Sequence, residues 1–363
     1  MALPMHYNCV WRALDNVITN FGKRRTPIWV SENTMDRILP EQVQQQVLKF
    51  WRSLNCETPG GTEGLYSSTA TVFTGKARHS EPASLVVVRR TRQSASRIPG
   101  SHVEVGSIGL QIVGNNVAIA SYTYQVRGSA LKGDGGRVQF NTFPGRATQI
   151  FHLDAAAVPR VVHEHLSAAG PSTVEVVESG ATGQRAYSHA SAVLGTTVTL
   201  QSSPSGTEPI FAAQVRARVH QFWMLFTDKS KAKFEELYLP EATVFALDGR
   251  RCEPARLMLM RRSRELFAAS SLTEAQAGSV DVQVLQPDLA VACYPFHLSG
   301  TRTLPGGRRY TGDVPFGRAT QVFLRDKAGA LLIVHEHTSS AEPVAVKELA
   351  RDLVRGGPGP EVR

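Results

Sequence analysis

Two stretches of this chain set ionisable side chains at a spacing that suits chemistry. "VVHEHLS" runs from Val161 to Ser167, and "IVHEHTS" from Ile333 to Ser339. In an extended strand alternate side chains share a face. His163 and His165 therefore point one way and Val162 and Glu164 the other, and His335 and His337 are split in the same way from Val334 and Glu336. Two imidazoles at i and i+2 begin a metal site, but zinc asks for further ligands. His152 on the preceding strand is the candidate, and its counterpart is Leu324. No metal is expected, and the plainer role for the histidines is hydrogen bonding within the sheet or at an interface. Glu164 and Glu336 offer a second chemistry. A carboxylate drawn into a partly desolvated pocket can act as a general base. The plainer roles are an ion pair with an arginine such as Arg146 or Arg318, or a position in solvent.

The strands that carry these residues occur twice. "GRATQIFHL" starts at Gly145 and "GRATQVFLR" at Gly317, an offset of 172 residues. The same offset carries Phe50-Trp51 onto Phe222-Trp223, Tyr66 onto Tyr238, Arg89-Arg90 onto Arg261-Arg262 and Tyr122 onto Tyr294. An unbroken register this long marks a duplication of whole domains, not a solenoid repeat. The copies span about 41–169 and 210–344. An N-terminal arm (1–40), a Ser/Thr/Gly-rich linker (170–209) and a C-terminal tail (345–363) complete the chain. Within a copy, helical spacing in "IFAAQVRARVHQFWMLFTD" and "EPARLMLMRRSRELFAAS" predicts two helices, with a strand at "EATVFA" between them. Four strand-like stretches follow: "SVDVQVLQ", "LAVACYPFHLSG", "FGRATQVFLRD" and "ALLIVHEHTSS". Helices followed by a meander of strands indicate an α+β domain, its helices covering one face of a curved antiparallel sheet. "VVVRRTRQSASR" and "LMLMRRSRELF" read as helices with a solvated basic face.

Composition narrows the function classes. The chain has 363 residues, 42% of them hydrophobic and 20% charged, which suits globular cores rather than disorder. Its net charge of +9 permits an acidic partner. Aromatic residues do not interleave with the arginines as stacking platforms would, so nucleic acid is not the expected partner. No apolar run reaches the roughly 18 residues of a membrane span. Cys9, Cys56, Cys252 and Cys293 form no Cys-x-x-Cys pair. They read as buried thiols of a reducing compartment, so an intracellular, cytoplasmic location is expected. The basic, acid-poor N-terminus leaves organelle targeting open.

The helices-then-meander pattern and the final strands of each copy resemble the nuclear transport factor 2-like superfamily, which includes ketosteroid isomerase and SnoaL-like cyclases. Thr320-Gln321-Val322-Phe323, followed by Ile333-Val334-His335-Glu336-His337-Thr338-Ser339, is most similar to the association (hub) domain of calcium/calmodulin-dependent protein kinase II. The resemblance implies two cone-shaped domains, a pocket between helices and sheet in each, and assembly through the outer sheet face. It also implies that Glu164 and Glu336 stand where the hub has Phe, on the pocket face. Two pocket-arginine positions of the hub fall on Gln149 and Gln321, and on Leu166 and Thr338, so a neutral or mixed polar ligand suits these cones better than a carboxylate. The tail "HEHTSSAEP" is similar to that of iota-class carbonic anhydrases, with the histidine run broken by Glu336.

Two function classes follow. The first is a non-catalytic small-ligand-binding or assembly module, two hub-like domains joined as a pseudo-dimer and open to homo-oligomers. The second is a cofactor-independent isomerase, cyclase or lyase. Its base would be Glu164 or Glu336, with Tyr122 or Tyr294 as proton donor, although core packing also explains both tyrosines. The expected ligand-binding residues are Gln149, Gln321, Arg146, Arg318, His163, His165, His335 and His337. No cofactor is expected.

Overall fold

The computed structural model describes residues 37–54, 63–74, 77–94, 102–131, 137–142, 145–168, 174–177, 210–227, 234–247, 249, 251–260, 270–303 and 309–340. Nearly all of the expected arm and linker, and the whole tail, lie outside them. The described residues from Ile38 onward form one compact unit. No helix among the described residues is long and apolar enough to cross a membrane.

The first copy opens with helix α1 (Pro40–Leu54), which starts on a proline and carries Glu41 in its first turn. Both features favour a helix N-terminus, since proline lacks only an N–H that would be unbonded there and the carboxylate meets the helix dipole. Val43, Val47, Phe50, Trp51 and Leu54 form its buried stripe. Strands β1 (Tyr66–Phe73) and β2 (Glu81–Pro82) precede helix α2 (Ala83–Ser94). Then come β3 (His102–Val105), β4 (Gly109–Val113), β5 (Val117–Leu131), β6 (Arg137–Thr142), β7 (Gly145–Leu153), β8 (Pro159–Ala168) and β9 (Val174–Val177). The second copy has α3 (Ile210–Thr227), β10 (Tyr238–Phe245), β11 (Glu253–Pro254), helix α4 (described over 255–260), β12 (Ser270–Ala277), β13 (Asp281–Gln286), β14 (Leu289–Thr303), β15 (Arg309–Arg325) and β16 (Leu331–Ser340).

Each copy builds its own sheet. The first runs β2-β1-β8-β7-β5-β6-β9, with β3 and β4 also on β5; the second runs β11-β10-β16-β15-β14-β12, with β13 also on β14. The fold is α+β. Neighbours are antiparallel except for one parallel pairing per sheet, β1 with β8 and β10 with β16, a feature the strand meander did not reveal. Strand β12 begins at Ser270, inside the stretch read as the end of a helix. Val174–Val177, within the expected linker, adds an edge strand on β6.

Strands β7 and β8 are buried on both faces. One face packs under helices α1 and α2 in a cone with Phe50, Trp51, Tyr66, Tyr122 and Phe151. The second cone holds Phe222, Trp223, Tyr238, Tyr294 and Phe323. The other faces of both sheets meet at a seam, where Phe73, Ile119, Ile150 and Val162 of one copy join Val291, Cys293, Val322 and Val334 of the other. Burying such apolar side chains contributes about 1.5–3 kcal/mol each.

Strict alternation put Val162 beside Glu164 and Val334 beside Glu336. The structure moves both valines to the histidine face. Pairing shifts register between Ile150 and Phe151 in the first sheet and between Val322 and Phe323 in the second. A residue added by such a bulge resets the alternation, so Val162 and His163 share the seam face, as do Val334 and His335.

Candidate functional site

Glu164 leaves β8 on the cone side and is fully buried. Its Oε1 accepts from Arg90 Nη2 at 2.5 Å, and its Oε2 accepts from the Tyr66 hydroxyl at 2.8 Å and from Gln149 Nε2 at 3.1 Å. Arg90 also donates to the Tyr66 oxygen at 2.8 Å. Helix α2 supplies Arg90 one turn beyond buried Val86 and Val87, β1 supplies Tyr66, and the β7–β8 register sets Gln149 opposite Glu164. A buried charge is tolerated when paired and hydrogen-bonded, and this cluster does both.

Burial works against the Arg90 charge, but Glu164 and then Tyr66 outweigh it and hold the guanidinium protonated more firmly than usual. Burial pushes the Tyr66 hydroxyl well above its ordinary range, so it remains a donor. Tyr122 is pushed up too, first by burial and then by the Glu164 charge, and its oxygen accepts from Trp51 Nε1 at 3.0 Å. Tyr124 is pushed up to about 12, mainly by burial, and packs 4.5 Å from the Trp51 ring.

The second cone repeats the design. Glu336 Oε2 accepts from the Tyr238 hydroxyl at 2.8 Å and from Gln321 Nε2 at 3.0 Å. Burial, followed by the Glu336 charge, pushes Tyr294 well up. Arg262, the residue at the sequence position of Arg90, lies outside the described residues. In both cones the amide oxygen of the glutamine, Gln149 Oε1 and Gln321 Oε1, is buried and has no hydrogen-bond partner among the described residues.

The remaining sequence-predicted site residues stand on the opposite side of the same strands, in the seam. His163 Nδ1 lies 2.8 Å from Thr71 Oγ1, and its Nε2 lies 2.9 Å from Thr320 Oγ1. His165 is 2.9 Å from Thr320 Oγ1 and 2.8 Å from Ser339 Oγ. The second copy mirrors this. His335 lies 2.8 Å from Thr243 Oγ1 and 3.0 Å from Thr148 Oγ1, and His337 lies 2.9 Å from both Thr148 Oγ1 and Ser167 Oγ. The His165 and His337 rings stack across the seam, 3.9 Å apart and within 6° of parallel. His152 stays on the rim against Asn116. Among the described residues no three or more His, Cys, Asp or Glu side chains are arranged to hold a metal ion.

Arg146 and Arg318 were candidate partners for the glutamates and candidate ligand contacts. The structure instead sends both across the seam into the opposite copy. Arg146 donates to the carbonyls of Ala246, Gly249 (2.7 Å) and Thr338 (3.3 Å), and its Nε to Ser167 Oγ at 3.1 Å. Arg318 donates to the carbonyls of Thr74 and Ala77 (3.0 Å) and to Ser339 Oγ at 2.9 Å. Alternation along β7 and β15 carries them to this face, away from Gln149 and Gln321.

Sequence reading missed Arg90 and Tyr66. Arg90 was assigned to a solvated basic face, yet its side chain is 13% exposed, whereas that of Arg89 is 50% exposed. The available signal was helical phase, since Arg90 follows Val86 and Val87 by four and three residues and so shares their buried face. Tyr66 and Tyr238 carried the signal of recurring four residues before each "ATVF".

No protein-family model matches the sequence, and no curated protein matches it. Among solved structures, the chain is similar to a putative calcium/calmodulin-dependent protein kinase II association domain from Xanthomonas campestris, at 19% identity and a TM-score of 0.30, covering 38% of this chain and 90% of that one. A ketosteroid isomerase-like protein from Erwinia carotovora matches at 14% identity and a TM-score of 0.32, over 37% of this chain and 98% of that one. A nuclear transport factor 2-like superfamily protein from Salmonella enterica matches at 15% identity and a TM-score of 0.29, over 38% and 93%. Each match spans about the length of one copy.

Proposed function

We propose that this chain is a non-catalytic module for binding and assembly, its two cones joined as an intramolecular pseudo-dimer and each taking a small ligand that offers neutral hydrogen-bond donors. The observation that carries this is the state of Glu164. Both of its oxygens are already taken by Arg90, Tyr66 and Gln149. A general base needs a lone pair free to meet the substrate's proton, and three of the roughly four lone-pair sites of this carboxylate are already occupied. What the cone leaves open is an acceptor. Gln149 Oε1 and Gln321 Oε1 are buried without a partner among the described residues, and the same atom is left over in both copies. Leaving a buried acceptor unsatisfied costs about 1–3 kcal/mol, and a bound amide N–H or hydroxyl recovers it. A carboxylate would meet Glu164 and Glu336 instead. Joining the copies in one chain makes their association intramolecular.

The test measures binding of small amides, alcohols and carboxylates to the full chain by calorimetry. Neutral donors should bind and carboxylates should not, and Gln149→Leu with Gln321→Leu should abolish binding. The competing isomerase reading predicts proton exchange at the α-carbon of a ketone substrate, lost in Glu164→Gln with Glu336→Gln. That exchange, observed in the unaltered protein, would overturn the proposal.

A further inference from the structure

The seam concentrates four imidazoles in one buried layer. His163, His165, His335 and His337 are each fully buried. Every one of their ring nitrogens has a hydroxyl oxygen within 2.8–3.0 Å. Thr320 Oγ1 stands between His163 Nε2 and His165 Nδ1, and Thr148 Oγ1 between His335 Nε2 and His337 Nδ1. A hydroxyl has one hydrogen to give, and a neutral imidazole has one N–H and one bare nitrogen. Thr320 can therefore accept from one ring and donate to the other. Two imidazolium rings would both aim N–H groups at the same oxygen and leave its hydrogen without an acceptor. Two charged rings at either threonine therefore break the network.

The groups packed around the rings offer an added proton no counter-charge. From β7 and β15 come Arg146 and Arg318, both cations. From β14 comes Cys293, its Sγ 3.4 Å from His163 and its thiol held neutral by burial. From β1 and β10 come Thr71, Phe73, Thr243 and Phe245. Glu164 and Glu336 point to the other face, and Asp281, held by Ser80, is exposed at the rim. Lys76 and Asp248, in the loops that receive the two arginines, lie outside the described residues. Stacking His165 on His337 would set two imidazolium charges face to face.

We propose that the seam is an acid-operated joint, which holds the two copies together only while all four imidazoles are uncharged and opens as pH falls below the ordinary histidine range. Burial pushes His163 and His335 down to about 3. It drives His165 and His337 well down too, with the charge at His337 acting next on His165 and that of Arg146 next on His337. The sign follows from linkage. Above the ordinary value near 6.5 neither the closed nor the open state takes up protons, and the seam keeps its full stability. Below it the open state takes up protons that the closed state refuses, so stability falls toward pH 3. Each histidine shifts the open-to-closed ratio by up to about tenfold per pH unit, and four together by up to about 10⁴-fold.

Urea unfolding of the full chain between pH 8 and 4.5 tests this. Stability should be level above about pH 7 and then fall, with up to about four protons taken up on unfolding. His163→Gln with His335→Gln keeps hydrogen-bonding groups at two positions and should remove about two of those protons. If that variant does not fold, ring resonances of the unaltered protein decide, since the seam rings should stay neutral down to the pH at which the chain opens. Rings that titrate near 6.5 in a chain of unchanged stability would overturn the proposal, as would proton uptake that the double variant leaves unaltered.

Discussion

Glu164 and His165 are neighbours on one strand, both fully buried, and they face opposite sides of the same sheet. The cone keeps a charge inside the protein and surrounds it with a guanidinium, a phenol and an amide. The seam holds groups that can shed their charge, and surrounds them with hydroxyls able to serve as donor or acceptor. A carboxylate buried alone faces a desolvation penalty of several kcal/mol; a neutral imidazole faces almost none once both nitrogens are bonded. Specific partners are therefore concentrated on the cone side, and the seam side tolerates four titratable residues in a row.

Removing the cone's cation should break this comparison most severely. Arg90→Met leaves Glu164 buried without its counter-charge and should cost about 3–5 kcal/mol in urea unfolding. Adding Glu164→Gln should recover much of the loss, because the uncompensated charge goes with it. A double variant no more stable than Arg90→Met would show that packing, not charge, sets the cost. Next comes the seam. Thr320→Val takes the shared hydroxyl from His163 and His165, at about 1–3 kcal/mol for a buried group left unsatisfied, and Thr148→Val should match it in the mirrored position. Unequal losses would show that the pseudo-symmetry is one of geometry and not of energy.

The duplication, the α+β class and the opposed faces of Glu and His were legible because they rest on register and period, which a single sequence carries. Gly145 and Gly317 are legible only in retrospect. A Cβ on Gly145 would lie 2.2 Å from the Tyr124 ring, and one on Gly317 would lie 2.2 Å from the Phe296 ring. These rings pack on Trp51 and Trp223 at 4.5 and 4.6 Å, so the glycines make room for an aromatic pair assembled from distant elements. Gly145→Ala should cost about 1–3 kcal/mol through overpacking and should alter the near-ultraviolet circular dichroism of the aromatic pair. The bulges at Val162 and Val334 were hidden for a related reason, since a bulge is set by the partner strand. Arg146 and Arg318 could not be placed because their acceptors are carbonyls of the other copy, reached over 100 residues or more of chain.

The smallest expected effect sharpens the comparison at a single step along α2. Arg89 and Arg90 are adjacent, carry the same charge and each contact a glutamate at 2.5 Å. Arg89 bonds Glu81 in the open, with side chains 50% and 30% exposed; the Arg90 and Glu164 side chains are 13% and 0% exposed. Water screens the first pair and already solvates both partners when they separate, so exposed ion pairs contribute only about 0–1 kcal/mol. Arg89→Ala should therefore shift the urea midpoint slightly, and added salt should shrink that shift further. Arg90→Met should keep its large penalty in the same salt, because its partner is beyond the reach of counterions. Equal losses at the two positions, or equal sensitivity to salt, would mean that burial does not separate these arginines energetically, and the contrast between a paired cone charge and a solvated surface charge would fail.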